Sequence, residues 1–256
     1  MSRLRCVLGS GATLPVAILL AWSLATHFGW LDVRLWSSPV QVLQGGWTAL
    51  QDGSLLAALK ASLVRDLTGF VIGALAGLVL GAVLALLPLA DILLEPTLNS
   101  VRQVALFAWV PFLSLWLGNG EEGRIAFIAL AAFFPILLNT HLGVRRVERR
   151  HLEVARILCL RRHRVILKII LPSALPSLMT GLRLGLIYAW LATIGAEYLF
   201  ASTTGIGSLM MDAREMFRMD QVILGMAVIG AVGFGLNIVL SRIGHLSLWR
   251  GLEEVP

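Results

Sequence analysis

Charged residues make up only 14% of this 256-residue chain, and lysine is nearly absent, with Lys60 and Lys168 alone. A soluble domain of this size needs far more polar surface to cover its core, so a soluble globular fold is excluded. Neither lysine is followed by Ser or Thr, the arrangement a phosphate-binding P-loop requires, so that kind of nucleotide site is excluded too. The two cysteines, Cys6 and Cys159, form no C-x-x-C, and under the orientation derived below both fall on the reducing side, where no disulfide is expected. The five histidines (His27, His141, His151, His163, His245) make no H-E-x-x-H. His151 and His163 lie among arginines, where a solvated or docking role fits better than metal ligation. No G-x-S-x-G occurs. No catalytic residue, metal ligand or cofactor is expected on this chain.

What is abundant is apolar: 57% of residues are hydrophobic. Runs free of charge cover 6–31, 67–90, 103–120, 125–144 and 221–241. Each is long enough to cross roughly 30 Å of hydrocarbon as a helix. A sixth stretch, 178–200, is interrupted only near its ends, by Arg183 and Glu197, positions from which a charge can reach an interface. The expectation is an all-α membrane protein, one domain over 1–256, with six spans near 7–28, 67–88, 103–118, 125–143, 178–200 and 221–241. Arg3 and Arg5 ahead of the first run give it the look of a signal peptide. The run is too long and lacks an A-x-A site, so an uncleaved first helix is expected.

Segment 141–177 holds nine basic residues and two acidic ones, a net +7 against +6 for the whole chain, so everything else sums to −1. A membrane protein that concentrates its positive excess in one inter-helix segment holds that segment on the cytoplasmic side. With both termini also inside, fourteen of the basic residues are cytoplasmic and six are outside, with Arg183 at the inner end of its span. The positive-inside bias in a lipid bilayer therefore accounts for a pI near 10.3. No nucleic-acid partner is needed to explain it.

Trp30, Trp36 and Trp47 fall where an aromatic belt would meet the outer interface. Gly69, Gly73, Gly77 and Gly81 recur every fourth residue and make one helix face bare, for packing within the subunit or between copies. In the basic segment, Arg149, Glu153 and Arg156 share a helical face, so both arginines can brace the carboxylate. Leu152, Ala155 and Cys159 line a smaller adjacent face, and Ile166, Ile169 and Ile170 supply anchors for a second short helix. Pro172 and Pro176 are expected to break that helix and redirect the chain. Asn139, Thr140, Thr193 and Glu197 are polar residues in or beside spans, each open to two roles: facing a translocation pathway or bonding helix to helix.

Glu153-Val154-Ala155, then Cys159, then Ile169-x-Leu171-Pro172 resembles the EAA loop of ABC-importer permeases, whose pattern is E-A-A, three residues, G, nine residues, I-x-L-P. The likeness continues in Leu63-Val64-Arg65 with Gly69-Phe70, in Arg102 followed by Ala108-Trp109-Val110-Pro111, and in Phe134-Pro135 with Asn139-Thr140. Gly181-Leu182-Arg183, Ala196-Glu197, Gly205-Ile206-Gly207 and Ala213-Arg214-Glu215 extend it over about 21–249. The similarity is to the branch that imports aliphatic sulfonates, taurine and nitrate. It implies a bacterial inner-membrane permease forming the pathway for a small anionic solute, with Arg149, Glu153, Ala155, Arg156, Cys159, Ile169, Leu171 and Pro172 receiving force in a cytoplasmic coupling loop. The implied partners are a second copy of the chain, two ATPase subunits that bind the ATP and Mg, and a periplasmic solute-binding protein. The rival from another class is an ion-coupled secondary transporter, which needs ionisable groups at mid-membrane that these spans scarcely have. Two positions depart from the family pattern. Cys159 replaces glycine, which costs roughly 1–2 kcal/mol if the backbone there is left-handed. Ala105 replaces a common proline, which is expected to straighten the start of the third helix.

Overall fold

The computed structural model describes residues 13, 16–26, 28, 36–147, 150, 153, 155, 157–200 and 204–253, with side-chain environments through residue 242. All regular structure among them is helical. The helices are α1 (Val16–Thr26), α2 (Pro39–Gln51), α3 (Ser54–Leu86), α4 (Pro88–Arg102), α5 (Val110–Leu117), α6 (Glu121–Arg145), α7 (Arg162–Leu199), α8 (Ile206–Glu215) and α9 (Met219–Glu253). Among the described residues, α3, α6, α7 and the Met219–Arg242 part of α9 are each long and apolar enough to cross a bilayer. Helix α4 and the 106–117 stretch qualify as one further span only as a pair bent by 97°. Of the expected first span, α1 is the described portion, and Val16, Ile18, Leu19, Leu20 and Leu24 are each more than half-exposed. Outward apolar side chains of this kind suit a lipid surface.

The chain divides into two compact units, one of Met1–Lys60 with Thr203–Gly230, the other of Ala61–Ser202 with Ala231–Pro256. In the first, α2 starts at a capping box: Ser38 Oγ accepts from the Gln41 N–H, Gln41 Oε1 accepts from the Ser38 N–H, and Pro39 opens the helix. The start of α9 packs against it, with Leu224 against Gly46 and Asp220 against Gly45. Trp36 and Trp47 are exposed, as an interfacial belt requires; Trp30 lies outside the described residues.

The second unit is built around α6. Phe127, Ile128, Ala132 and Ile136 are fully buried there, against Ala74 of α3 and Ala189, Ala192 and Ala196 of α7. Glycines on both flanks let the backbones meet. A methyl added at Gly77 would lie 2.8 Å from Phe133 O, and one at Gly81 would lie 2.6 Å from Leu137 O. At Gly69 it would strike Ile128, and at Gly73 the Ala129 carbonyl. On the other side Gly185 of α7 faces Ile136, and Gly143 of α6 faces Ser177. The glycine stripe of α3 thus packs within the chain. Lipid tails are as apolar as leucine, so close van der Waals fit between small residues holds such helices together.

Residues 103–118, expected as the third span, fold as a 3₁₀ turn at Leu106–Trp109 and then α5. Ala105 does not straighten this region. It is extended (φ −57°, ψ 135°) and its carbonyl accepts from the Ala108 N–H at 2.9 Å, so the bend persists without proline.

Candidate functional site

The basic segment leaves α6 at Arg145. Of its expected coupling residues, Arg149 and Arg156 lie outside the described residues. Glu153 is exposed, while Ala155, two residues on, is 2% exposed and fixes the segment to the unit. Cys159 has φ +48°, in the left-handed region, and the Leu160 N–H donates to Ala155 O at 3.0 Å. That six-to-one bond around a left-handed residue is the Schellman stop, which explains the usual glycine at this position. The stop leaves Ile157 (80% exposed) and Leu158 (63%) projecting at the tip. Two large apolar side chains held outward are what a partner protein's groove takes up. Their hydrophobicity was readable from the sequence, but their exposure was not.

Ile169 and Ile170 are half-buried, and Leu171 and Pro172 are exposed. The prolines do not break the chain here. The Leu171 N–H donates to Ile166 O, giving a π turn over Ile166–Ile170 that makes room for the Pro172 ring, and α7 runs on to Leu199.

A cleft of about 440 Å³ opens on this unit, lined by Arg102, Trp109, Phe134, Pro135, Asn139 and Tyr188 among others. Its walls are mostly apolar and aromatic, with one guanidinium, one amide and one phenol. Pro135 has no N–H to give to the carbonyl of Ala131, which also lines the cleft, so that acceptor is released. Asn139 donates to Pro135 O at 2.8 Å. Of the four polar residues weighed for a pathway, Asn139 lines this cleft. Thr140 turns toward Gly81 of α3 and is 2% exposed, its hydroxyl without a hydrogen-bond partner among the described residues.

Thr193 and Glu197 lie elsewhere, in a buried polar cluster at the opposite end of α6 from Arg145. Arg65 donates from Nη1 to Glu197 Oε1 at 2.5 Å, and from Nε and Nη2 to Glu121 at 2.8 and 2.7 Å. Ser62 Oγ donates to the same Glu197 oxygen at 2.6 Å. Arg124 bridges Glu121 and Phe200 O. Thr193 Oγ1 lies within hydrogen-bond reach of Ala189 O and Asp66 Oδ1. The cluster joins α3, α6 and α7, so Thr193 and Glu197 serve helix-to-helix bonding. The sequence carried one signal for it: Arg65 stands four residues before Gly69, at the head of the glycine face.

Helices long enough to cross a bilayer, packed beside a small cleft, define the class as a membrane-spanning protein. Residues 69–247 match the family of binding-protein-dependent transport system inner membrane components, and the chain belongs to it. It is 38% identical over 220 residues to the putative aliphatic sulfonates transport permease protein SsuC of Escherichia coli, covering 86% of this chain and 83% of that one. It is 33% identical over 245 residues to the taurine transport system permease protein TauC of the same organism, covering 93% and 88%. Its fold is similar to that of an amino acid ABC transporter crystallised with histidines, with a TM-score of 0.60 at 14% identity, over 79% of this chain and 96% of that one. The chain is an inner-membrane transport component, not an enzyme in its own right, and the family decides against an ion-coupled secondary transporter.

Proposed function

We propose that this chain forms half of the pathway of an ATP-driven importer for a small oxyanion, an aliphatic sulfonate or taurine first and nitrate next. Two copies pair, two ATPase subunits bind ATP and Mg beneath them, and a periplasmic solute-binding protein delivers the solute. Both termini are cytoplasmic. Glu153, flanked by Arg149 and Arg156, together with the Ile157–Leu158 tip, docks into the ATPase, and Ile169, Leu171 and Pro172 pass the displacement into α7.

The cleft at Arg102 is the observation that carries this reading. Its 440 Å³ is within the usual size of small-molecule sites. One guanidinium on the cleft wall favours a compact oxyanion, which it can hold by paired charge-assisted hydrogen bonds. The aromatic walls suit a short alkyl tail, and the released Ala131 carbonyl suits the ammonium of taurine. Similarity to sulfonate and taurine permeases supports the same solutes.

The test is uptake by proteoliposomes holding the chain, its ATPase and its binding protein. Labelled ethanesulfonate and taurine should accumulate only with ATP, and Arg102→Gln should cut the rate about tenfold or more, the worth of a hydrogen bond to a charged group. Equal transport of uncharged ethanesulfonamide, or indifference to Arg102→Gln, would refute the oxyanion assignment.

A further inference from the structure

Helix α4 stands apart from the packing that holds its unit together. None of its residues is buried, and Leu89, Ile92 and Leu93 are each more than 60% exposed. The glycine-lined contacts that clamp α3, α6 and α7 do not include it. At its C-terminal end the chain turns through 97° at 103–105, and Arg102 joins the cleft wall. Near its N-terminal end one side chain reaches the core: Asp91, only 13% exposed. Asp91 Oδ2 accepts from Arg145 Nη1 at 2.7 Å. Its other oxygen stands 2.9 Å from His141 Nε2, without the alignment of a hydrogen bond. His141 is 5% exposed, and Arg145 is the last residue of α6, where the coupling segment departs. Among the described residues, the side-chain polar contacts of α4 with another element all run through Asp91.

The cleft has two walls. Leu130, Phe134, Pro135 and Asn139 of α6, with Tyr188 of α7, belong to the clamped core; Arg102 belongs to α4. A core this closely packed moves as one body, because interdigitated side chains do not deform continuously. Helix α4 is joined to it by backbone at both ends, through the single residue Leu87 from α3 and through the 103–105 bend, and by side chain through Asp91. About 16 Å of helix separates Asp91 from Arg102 at 1.5 Å per residue.

We propose that Asp91 is a positioning residue for transport. It ties α4 to the root of the coupling segment, so that displacement at Arg145 reaches Arg102 in the cleft. The proposal rests on the permease reading and assigns that reading its transmission element. Without the tie the core still moves when the ATPase closes, but Arg102 lags behind the opposite wall and the solute is carried less often per cycle.

The test uses the complete complex in proteoliposomes with labelled ethanesulfonate. Asp91→Asn should leave ATPase attachment and ATP hydrolysis near wild type while uptake per ATP falls about tenfold, within the usual range of coupling between sites. The exchange Asp91→Arg with Arg145→Asp should recover most of that ratio, although each single variant alone loses it. A purely structural role would lower hydrolysis and uptake together. Spin labels at Leu93 and Leu142, with Cys6 and Cys159 replaced by serine, read the tie directly. Their distance distribution should be narrow in the wild type and broad in Asp91→Asn. An unchanged distribution, an unchanged uptake-to-ATP ratio, or a proportional fall of both activities would overturn the proposal. Absence of ATP-dependent uptake by the wild-type complex would strike the permease reading instead, and the label distances would still decide the tie.

Discussion

Cys159 sits where the backbone is left-handed, and its side chain is exposed. A non-glycine residue there costs roughly 1–2 kcal/mol in contact between Cβ and the backbone. Glycine removes that cost but gives the unfolded chain about 0.4–1 kcal/mol more freedom to lose. The net is a gain, so Cys159→Gly should raise the thermal midpoint of the purified protein by about 2 °C, read by thiol-independent light scattering in detergent. A fall in the midpoint would mean that the Cys159 side chain makes a stabilising contact. Glu121 shows the opposite case. By sequence it is one acid of a short turn, yet it accepts from both Arg65 and Arg124. No pattern of spacing in one strand of sequence could join residues 65, 121 and 197.

The interior prolines recur with one companion. Pro96, Pro135 and Pro176 lie inside α4, α6 and α7, and the carbonyl of each accepts from a side chain four residues on: Ser100, Asn139 and Thr180. Helices with proline persist in apolar surroundings when such side chains tend the disturbed backbone. Pro172 is accommodated differently, by the π turn over Ile166–Ile170 that precedes it, and α7 stays continuous where a break was expected. The coupling segment makes its prediction at the same scale. Glu153 is exposed, and a helical ion pair on a surface is worth only a few tenths of a kcal/mol. Glu153→Ala should therefore insert normally but co-purify with less ATPase and lose ATP-dependent uptake. Glu122, also exposed, is the control position, since Glu121 pairs with the buried Arg65 and Arg124. Full uptake with full ATPase stoichiometry in Glu153→Ala would remove that residue from the docking role.

At the scale of the molecule, charge distribution makes the prediction. A cysteine at Asn119 should react with an impermeant thiol reagent from outside intact cells, and one at His163 should react only after the membrane is opened. The reverse pattern would invert the topology. The mass of the solubilised complex should correspond to two copies of this chain with two ATPases; one copy beside a different permease would leave the family intact and end the homodimer.

Composition and charge by themselves determined the membrane class and the helical fold, because bilayer insertion depends on local sums of hydrophobicity and charge that any window of sequence contains. The permease family was legible in Glu153, Ala155, Ile169, Leu171 and Pro172, because short motifs at a loop survive without their surroundings. Tertiary structure alone decided the rest. It turned the glycine face of α3 inward onto α6, drew Arg65 to Glu197 across 132 residues of sequence, bent 103–118 out of a straight span, and set Arg102 opposite Asn139 in a cleft. Each of these depends on which helix faces land together, and helix periodicity says that a face exists without saying what it meets.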